Sequence, residues 1–283
     1  MPAHWTATSV AEAIEAQAQG TSWKQLEAFG EQSLKLAMDR RLRRLDFIAN
    51  ELSSGTDRSL ADKWNGILAA QARAAGSHRY LMMARLNNLY GDYLRGDNTA
   101  VAQFTAIGDR DPDWFVRVNA KNSEAFNLIR SDLTVAALRK IEEGEALVLQ
   151  GDPAAHAAEA RLSETKGVAL LHLQDLDEGA EAFARVHFEL TRSNYPNPDF
   201  SDIYSLGLAA ARLGYWPLAE DLAARHHRLT LHAMAQGSDL PVIWDKYLCA
   251  VVAEHASPQR VLSCLEGLDL TSPASKARPL APR

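Results

Sequence analysis

Histidine side chains are the first residues in this chain whose type could support catalysis or metal binding. His226, His227 and His232 lie close together in the sequence, and neutral imidazole is a common zinc ligand. Side chains five or six positions apart on a helix point in different directions, so these histidines are poor ligands for one metal ion. We expect His226 to be packed in the interior or at an interface, because Gly144, Val186 and Leu268 take its place in the other copies of the repeat described below. The pattern predicts no metal site and no cofactor.

Paired carboxylates, which could act as general acid and base, occur at Glu142 and Glu143 and at Asp175 and Asp177. The first pair falls on the polar side of a predicted helix and the second in a predicted turn, so we interpret both as solvated surface groups. The sequence lacks the motifs of a nucleophile elbow, a phosphate-binding loop, a dinucleotide-binding loop and a zinc metallopeptidase. It therefore predicts no catalytic residue and a protein that is not an enzyme.

The composition is that of a folded globular protein. The chain has 283 residues, of which 47% are hydrophobic and 23% are charged, enough to bury a sizeable core. Asp and Glu number 36 against 30 Lys and Arg, and a net charge of −6 disfavours general nucleic-acid binding. No apolar stretch reaches the roughly 18 residues of a membrane-spanning helix. We therefore expect neither nucleic acid nor membrane as a partner.

The cysteines and the N-terminal residues bear on the compartment. Cys249 and Cys264 are too few for a disulfide framework or a four-cysteine zinc site, and they suit a reducing compartment. Glu12 and Glu15 fall where a secretory signal would need its apolar core. We therefore expect a cytoplasmic location, and we expect Cys249 to be a buried, inert thiol.

Helix-forming residues dominate the chain, whereas the alternating Val, Ile and Thr runs of strands are almost absent. One apolar stripe with steps of four and three positions is formed by Met38, Leu42, Leu45, Ala49 and Leu52. Gly and Pro residues separate predicted helices of roughly 12–20 residues. The sequence predicts an all-α fold.

Small residues recur at nearly constant steps near the middle of successive predicted helices. The residues are Ala125, Gly167, Gly207 and Cys249, and the steps between their sequence numbers are 42, 40 and 42. Twelve positions after each of them stand Ala137, Gly179, Ala219 and Val261. A small residue lets two antiparallel helices approach closely, and each helix pair leaves an apolar side that the next pair can cover. This pattern predicts a solenoid of helix pairs.

The repeated segment resembles a known family. It reads Leu206-Gly207-x2-Ala210-x2-Leu213-Gly214-Tyr215-Trp216-x2-Ala219-x3-Ala223, which is similar to a tetratricopeptide repeat. Weaker copies run over 167–183 and 87–112, and the resemblance covers about 80–270. The steps of 40–42 exceed the usual period of about 34, as in the divergent arrays of bacterial regulators. The resemblance implies an all-α solenoid of about five to six antiparallel helix pairs.

The repeat sets the expected domain organisation. We expect a helical-repeat domain over 21–270, preceded by an N-terminal arm or capping helix at 1–20. Residues 271–283 contain three prolines and no apolar period, so we expect a disordered tail or a linker there.

In arrays of this family the first helix of each pair lines a concave surface, and the resemblance implies which positions face a ligand. The positions that carry a polar or aromatic side chain suited to a partner are Asn122, Arg130, Arg161, Glu164, His172, Tyr204, Arg212 and Lys246. Arginine forks bind carboxylates, and a tyrosine offers an amphipathic anchor. These residues predict a groove for an acidic peptide or a C-terminal carboxylate.

Three functions are consistent with this sequence. The first is a non-enzymatic adaptor that holds a peptide or domain of another protein in the groove. The second is a sensory or regulatory module, with or without a bound ligand, of a bacterial signalling protein such as a diguanylate cyclase or a transcriptional regulator. The third is an enzyme built on helix pairs. The absence of catalytic motifs favours the adaptor, and the sequence leaves a homodimer open.

Overall fold

The computed structural model describes residues 5–19, 23–53, 58–94, 96–193, 201–235 and 242–256. Every regular element within these residues is an α-helix, which confirms the predicted all-α class. The helices are α1 (Ala7–Gln19), α2 (Trp23–Ser33), α3 (Met38–Ser53), α4 (Arg58–Ala74), α5 (His78–Leu94), α6 (Thr99–Arg110), α7 (Trp114–Arg130), α8 (Thr134–Glu145), α9 (Ala155–His172), α10 (Leu176–Ser193), α11 (Ser201–Arg212), α12 (Trp216–Ala235) and α13 (Val242–Ala256). The predicted tail, 271–283, lies outside the described residues.

A turn of the same geometry ends three of these helices at the period of the repeat. Asp132, Gln174 and Gly214 follow α7, α9 and α11 with φ of +60°, +63° and +76°. After α11, the amide of Tyr215 donates to the carbonyl of Ala210 at 2.9 Å, which satisfies a carbonyl at the helix end. Each turn residue stands seven positions after the small residue of its own helix, so the repeat in sequence corresponds to a repeat in local structure.

The chain forms two compact units. The middle unit consists of Glu27–Thr165, and the terminal unit consists of the described residues up to Leu26 and from Lys166 onward. In the middle unit α3 packs on α4 and α5, α5 also packs on α6 and α7, and α7 packs on α8. In the terminal unit α11 packs on α10, α12 and α13. Helix α1 belongs to this unit and packs on α10, α11 and α12.

The predicted apolar stripe of α3 is a core face of the middle unit. Leu42, Leu45, Ala49 and Leu52 are all buried there, as the spacing of four and three positions predicts. Trp64 is completely buried in the same unit, so it is a core residue.

Small residues bring helices close together at two predicted positions. A Cβ atom added at Gly167 would lie 2.5 Å from Cε1 of Phe183, and one added at Gly207 would lie 2.9 Å from Cδ2 of Leu248. Real Cβ atoms do not approach other atoms this closely, so a larger residue at either position would force the neighbouring side chain to move. The interpretation of these glycines as close helix contacts is confirmed.

The prediction for Cys249 is wrong. Its side chain is exposed and disulfide-bonded, whereas the neighbouring Leu248 and Ala250 are the buried residues of α13. The close approach of α13 to Gly207 is made by Leu248. The other cysteine, Cys264, lies outside the described residues. A disulfide also removes the support that the cysteines gave to a reducing compartment.

None of the described helices combines the length and the apolar character needed to cross a membrane.

Candidate binding site

The residues predicted to line a groove are divided between the two units. The middle unit contains Asn122, Arg130, Arg161 and Glu164, and the terminal unit contains His172, Tyr204, Arg212 and Lys246. Each group is therefore described within its own unit.

Arg161 is held by other side chains of the middle unit. Its guanidinium donates to Oδ1 of Asn119 at 2.6 Å and to Oδ2 of Asp46 at 2.9 Å. It also lies 5.7 Å from the ring centroid of Phe115, and Arg79 lies at 5.6 Å from the same ring. Only 13% of the Arg161 side chain is exposed. The residue that was expected to contact a partner thus makes structural contacts in α3 and α7.

Asp46, which pairs with Arg161, is a buried carboxylate whose hydrogen bonding is incomplete. Its Oδ1 atom has no hydrogen-bond partner, although Oδ2 accepts from Arg161. Burial raises the pKa of Asp46 above its ordinary value, while the charge and the hydrogen bond of Arg161 act in the opposite direction. The ion pair with Arg161 therefore offsets only part of the free-energy cost of burying the Asp46 carboxylate.

The remaining predicted residues of the middle unit are half-buried. The guanidinium of Arg130 lies 5.1 Å from the ring centroid of Tyr93, whose hydroxyl donates to Oδ1 of Asn127 at 2.9 Å. Oδ1 of Asn122 is buried without a hydrogen-bond partner, and Glu164 is half-buried on α9. None of the four predicted groove residues of the middle unit is therefore fully exposed.

The terminal unit brings predicted residues together with aromatic side chains that the sequence reasoning had not placed beside them. Tyr204 in α11 stacks on Trp244 in α13, with ring centroids 6.0 Å apart, and lies 6.5 Å from the ring of Tyr247. We call these three residues the aromatic cluster. Leu208 and Leu248 pack beside Tyr204, so the cluster has a rigid apolar base.

The hydroxyl of Tyr204 is the unusual feature of this cluster. Only 4% of the residue is exposed, and the hydroxyl has no hydrogen-bond partner. Burial raises the pKa of Tyr204 above its ordinary value, and the positive charge of Arg212 opposes that rise. Trp244, Tyr247 and Arg212, which lie close to Tyr204, are half-buried, so their surfaces are partly open to solvent. Lys246, a predicted residue on α13, is half-buried as well. An unsatisfied buried hydroxyl costs free energy unless another group accepts its hydrogen bond.

Two histidines share one carboxylate next to the aromatic cluster. Nδ1 of His227 lies 2.8 Å from Oδ2 of Asp245, and Nδ1 of His226 lies 3.4 Å from Oδ1 of the same residue. Burial would raise the pKa of Asp245, but the hydrogen bonds and charges of both histidines outweigh it and hold the pKa below the ordinary value. His226 is completely buried, which confirms its interpretation as a packed histidine.

Among the described residues, no group of three or more His, Cys, Asp or Glu side chains could hold a metal ion. His172, the remaining residue that was predicted to line the groove, is half-buried at the C-terminal end of α9.

Sequence reasoning identified Tyr204 but did not predict that Trp244 and Tyr247 lie beside it. The offset of Tyr204 from Gly207 was the signal that found it. Trp244 and Tyr247 belong to α13, which α12 separates from α11 along the chain. Only the packing of α13 on α11 brings them to Tyr204.

No family model, curated protein or solved structure matches this chain.

Proposed function

We propose that this chain is a non-enzymatic scaffold whose helix pairs stack as a tetratricopeptide-like solenoid and which binds another protein. The turns at Asp132, Gln174 and Gly214 support the stacking, because they recur at the repeat period. The close contacts of Gly167 and Gly207 support it as well.

The observation that carries the binding proposal is the unsatisfied hydroxyl of Tyr204 beneath partly exposed aromatic rings. Tyr, Trp and Arg are the residues most often found at the centres of protein interfaces. Here Trp244 and Tyr247 provide the aromatic surface, and Arg212 provides the cation. A partner group that accepts from the Tyr204 hydroxyl would recover a hydrogen bond that the free protein lacks.

The partner chemistry follows from the donors around the aromatic cluster. Tyr204 offers an O–H donor, and the nearby Arg212 carries positive charge. A carboxylate accepts hydrogen bonds from both types of group, and charge-assisted hydrogen bonds are the stronger ones. The partner is therefore a peptide with an acidic side chain or a free C-terminal carboxylate.

Access to the buried hydroxyl requires a local rearrangement. Trp244 stacks on Tyr204 and is only half-buried, so we expect a change of its side-chain rotamer to expose the Tyr204 ring to a partner. Rotamer changes of this kind are common when proteins bind their partners, while the backbone moves little.

The test uses a library of immobilised peptides that end in a free carboxylate and the same peptides with amidated ends. We expect wild type to retain a subset of the free-carboxylate peptides and to lose them on amidation. Tyr204→Phe removes only the unsatisfied hydroxyl, so its free energy of unfolding stays within about 1 kcal/mol of wild type or rises. Its affinity for the retained peptides falls about tenfold or more, because a hydrogen bond to a charged group is lost.

Tyr93→Phe is the matched control. Its hydroxyl is already bonded to Asn127, so the substitution lowers the free energy of unfolding by about 0.5–1.5 kcal/mol and leaves peptide binding unchanged. Equal binding by wild type and Tyr204→Phe would remove the aromatic cluster as the site. A library in which amidation makes no difference would remove the carboxylate as the recognised group.

A further inference from the structure

Helix α1 occupies a surface that is built by helices far away in the sequence. It packs on α10 and α12 and touches α11, all of which lie in the second half of the chain. Five apolar residues on one side of α1 are buried in the same core cluster as Phe183 and Leu222: Ala7, Val10, Ala11, Ile14 and Ala18. The opposite side of α1 includes the exposed Glu12 and Ala16. The helix is thus amphipathic, and α10 and α12 form the surface that receives its apolar side.

Charge complementarity fixes how α1 lies on this surface. Glu15 accepts hydrogen bonds from Arg228 at 2.9 Å and from Arg225 at 2.8 Å. Glu12, one turn earlier, lies 3.4 Å from Arg225. The hydrogen bond from Arg228 holds the pKa of Glu15 below its ordinary value, even though burial acts against it.

The receiving side is organised by contacts of its own. Arg225 is also bonded to Asp221 of the same helix at 2.8 Å, one turn away. Two arginines on α12 therefore form a basic edge beside an apolar surface, and α1 supplies the matching acidic edge.

Residues 5–19 include all the α1 side chains that make these apolar and charged contacts. Thr6 caps the helix, because its hydroxyl accepts from the amide of Ser9 at 3.2 Å while the hydroxyl of Ser9 accepts from the amide of Thr6 at 2.9 Å. Trp5 packs against the same core cluster. Three of the five stripe residues are alanines, which bury less apolar area than larger side chains do.

We propose that the surface of α10 and α12 is a receptor for acidic amphipathic helices, which α1 occupies from within the same chain. The fitting partner is a helix with small and aliphatic residues on one side and two acidic residues three positions apart on its flank. Recognition by an amphipathic helix in a groove is a recurrent binding mode. The proposal concerns a surface other than the aromatic cluster and does not depend on the function proposed above.

The covalent connection explains why α1 is the occupant. A helix of the same chain binds intramolecularly and competes with an added one, so an added helix binds weakly while α1 is in place. Removing α1 from the surface exposes the receptor to a partner in solution.

The test uses a fluorescently labelled peptide with the sequence of residues 5–19 and the full-length chain. Ile14→Asp places a charge in the buried stripe and detaches α1. We expect this variant to bind the labelled peptide at least about tenfold more tightly than wild type does, measured by fluorescence anisotropy. Ala16→Asp, at an exposed position of the same helix, is the matched control and binds the peptide as weakly as wild type.

Charge reversal tests the orientation of the bound helix. In the Ile14→Asp background, Arg228→Glu should weaken the binding of the wild-type peptide. A peptide carrying Glu15→Arg should then regain about threefold or more, as expected for a partly exposed ion pair.

Two results would overturn the proposal. One is a folded Ile14→Asp variant, as judged by circular dichroism, that binds the peptide no better than wild type. The other comes from a second experiment, which is used if that variant does not fold. A full-length chain with a protease site inserted after Gln19 is then cut once it has folded, and labelled peptide is added in excess. Exchange of the severed α1 for the labelled peptide supports a receptor surface, whereas retention of α1 or loss of the fold on cutting shows that α1 is a permanent part of the core.

Discussion

Arg161 in α9 donates a 2.9 Å hydrogen bond to Asp46 in α3, although 115 residues separate the two. Both side chains are largely buried, with 13% and 4% exposed. Helices α5 and α7 lie between them in the sequence, and α7 contributes Asn119 to the same arginine. The ion pair therefore connects helices of the middle unit that are not neighbours in the chain.

Arg161→Ala is expected to destabilise the middle unit, because it leaves the carboxylate of Asp46 buried without its cation. Breaking a buried pair in this way costs about 3–5 kcal/mol in the free energy of unfolding. The double variant with Asp46→Ala should lose clearly less than the sum of the two single losses. Urea denaturation followed by far-ultraviolet circular dichroism measures all three variants.

Arg139→Ala serves as the control for that cycle. Arg139 is exposed on α8, so its loss should change the free energy of unfolding by no more than about 0.5 kcal/mol. Additive losses for Asp46→Ala and Arg161→Ala would show that the two side chains do not interact energetically.

The ionised carboxylate of Asp245 is expected to stabilise the folded protein near neutral pH, and this contribution should be lost in acid. Its pKa is lower in the folded protein than its ordinary value of 3.8, because the bonds from His226 and His227 outweigh burial. The folded state thus binds this proton more weakly than the unfolded state does, and stability rises with pH through this range. The contribution is complete above pH 3.8 and is lost as the pH falls through the folded pKa.

Asp245→Asn tests this sign. The difference in melting temperature between wild type and the variant should be largest near pH 6 and should shrink towards about pH 2. A difference that stays constant over this range would mean that the carboxyl titrates normally in the folded protein.

Asp46 is expected to show the opposite pH dependence. Burial raises its pKa above 3.8 in the folded protein, so the folded state binds the proton more tightly. Its contribution to stability is therefore greatest below pH 3.8 and declines as the pH rises to the folded pKa. The melting temperature of Asp46→Asn relative to wild type should rise across that window, and a flat or falling difference would contradict the raised pKa.

The sequence predicted the helices and several of their contacts because these depend on local spacing. The stripe from Leu42 to Leu52 repeats every three or four positions, so the period of the helix alone identifies a buried face. Gly167 and Gly207 were found by their repeat position, since a close helix contact requires a residue of that size. Cys249 shows the limit of this approach, because its repeat position predicted a buried thiol, whereas the structure exposes it between the buried Leu248 and Ala250.

The long-range contacts could not be predicted from spacing. Nothing near Arg161 in the sequence indicates that Asp46, 115 positions away, will take its guanidinium. In the same way, the sequence offers many arginines that could pair with the acidic residues of α1, and only the packed structure selects Arg225 and Arg228. The surroundings of Tyr204 likewise depend on how α13 packs on α11.

Gly207→Leu is expected to destabilise the terminal unit, whereas the same substitution at Gly66 should not. A Cβ atom at Gly207 meets Cδ2 of Leu248 at 2.9 Å and Cβ of Leu222 at 3.5 Å, while a Cβ atom at Gly66 in α4 meets nothing within 4 Å. Overfilling a packed contact costs about 1–3 kcal/mol, and replacing an exposed helical glycine gains about 0.5–1 kcal/mol. Thermal unfolding should therefore show a lower melting temperature for Gly207→Leu and an equal or higher one for Gly66→Leu. Equal melting temperatures for Gly207→Leu and wild type would show that α11 and α13 do not approach closely at this position, and the repeat register built on Gly207 would fail with it.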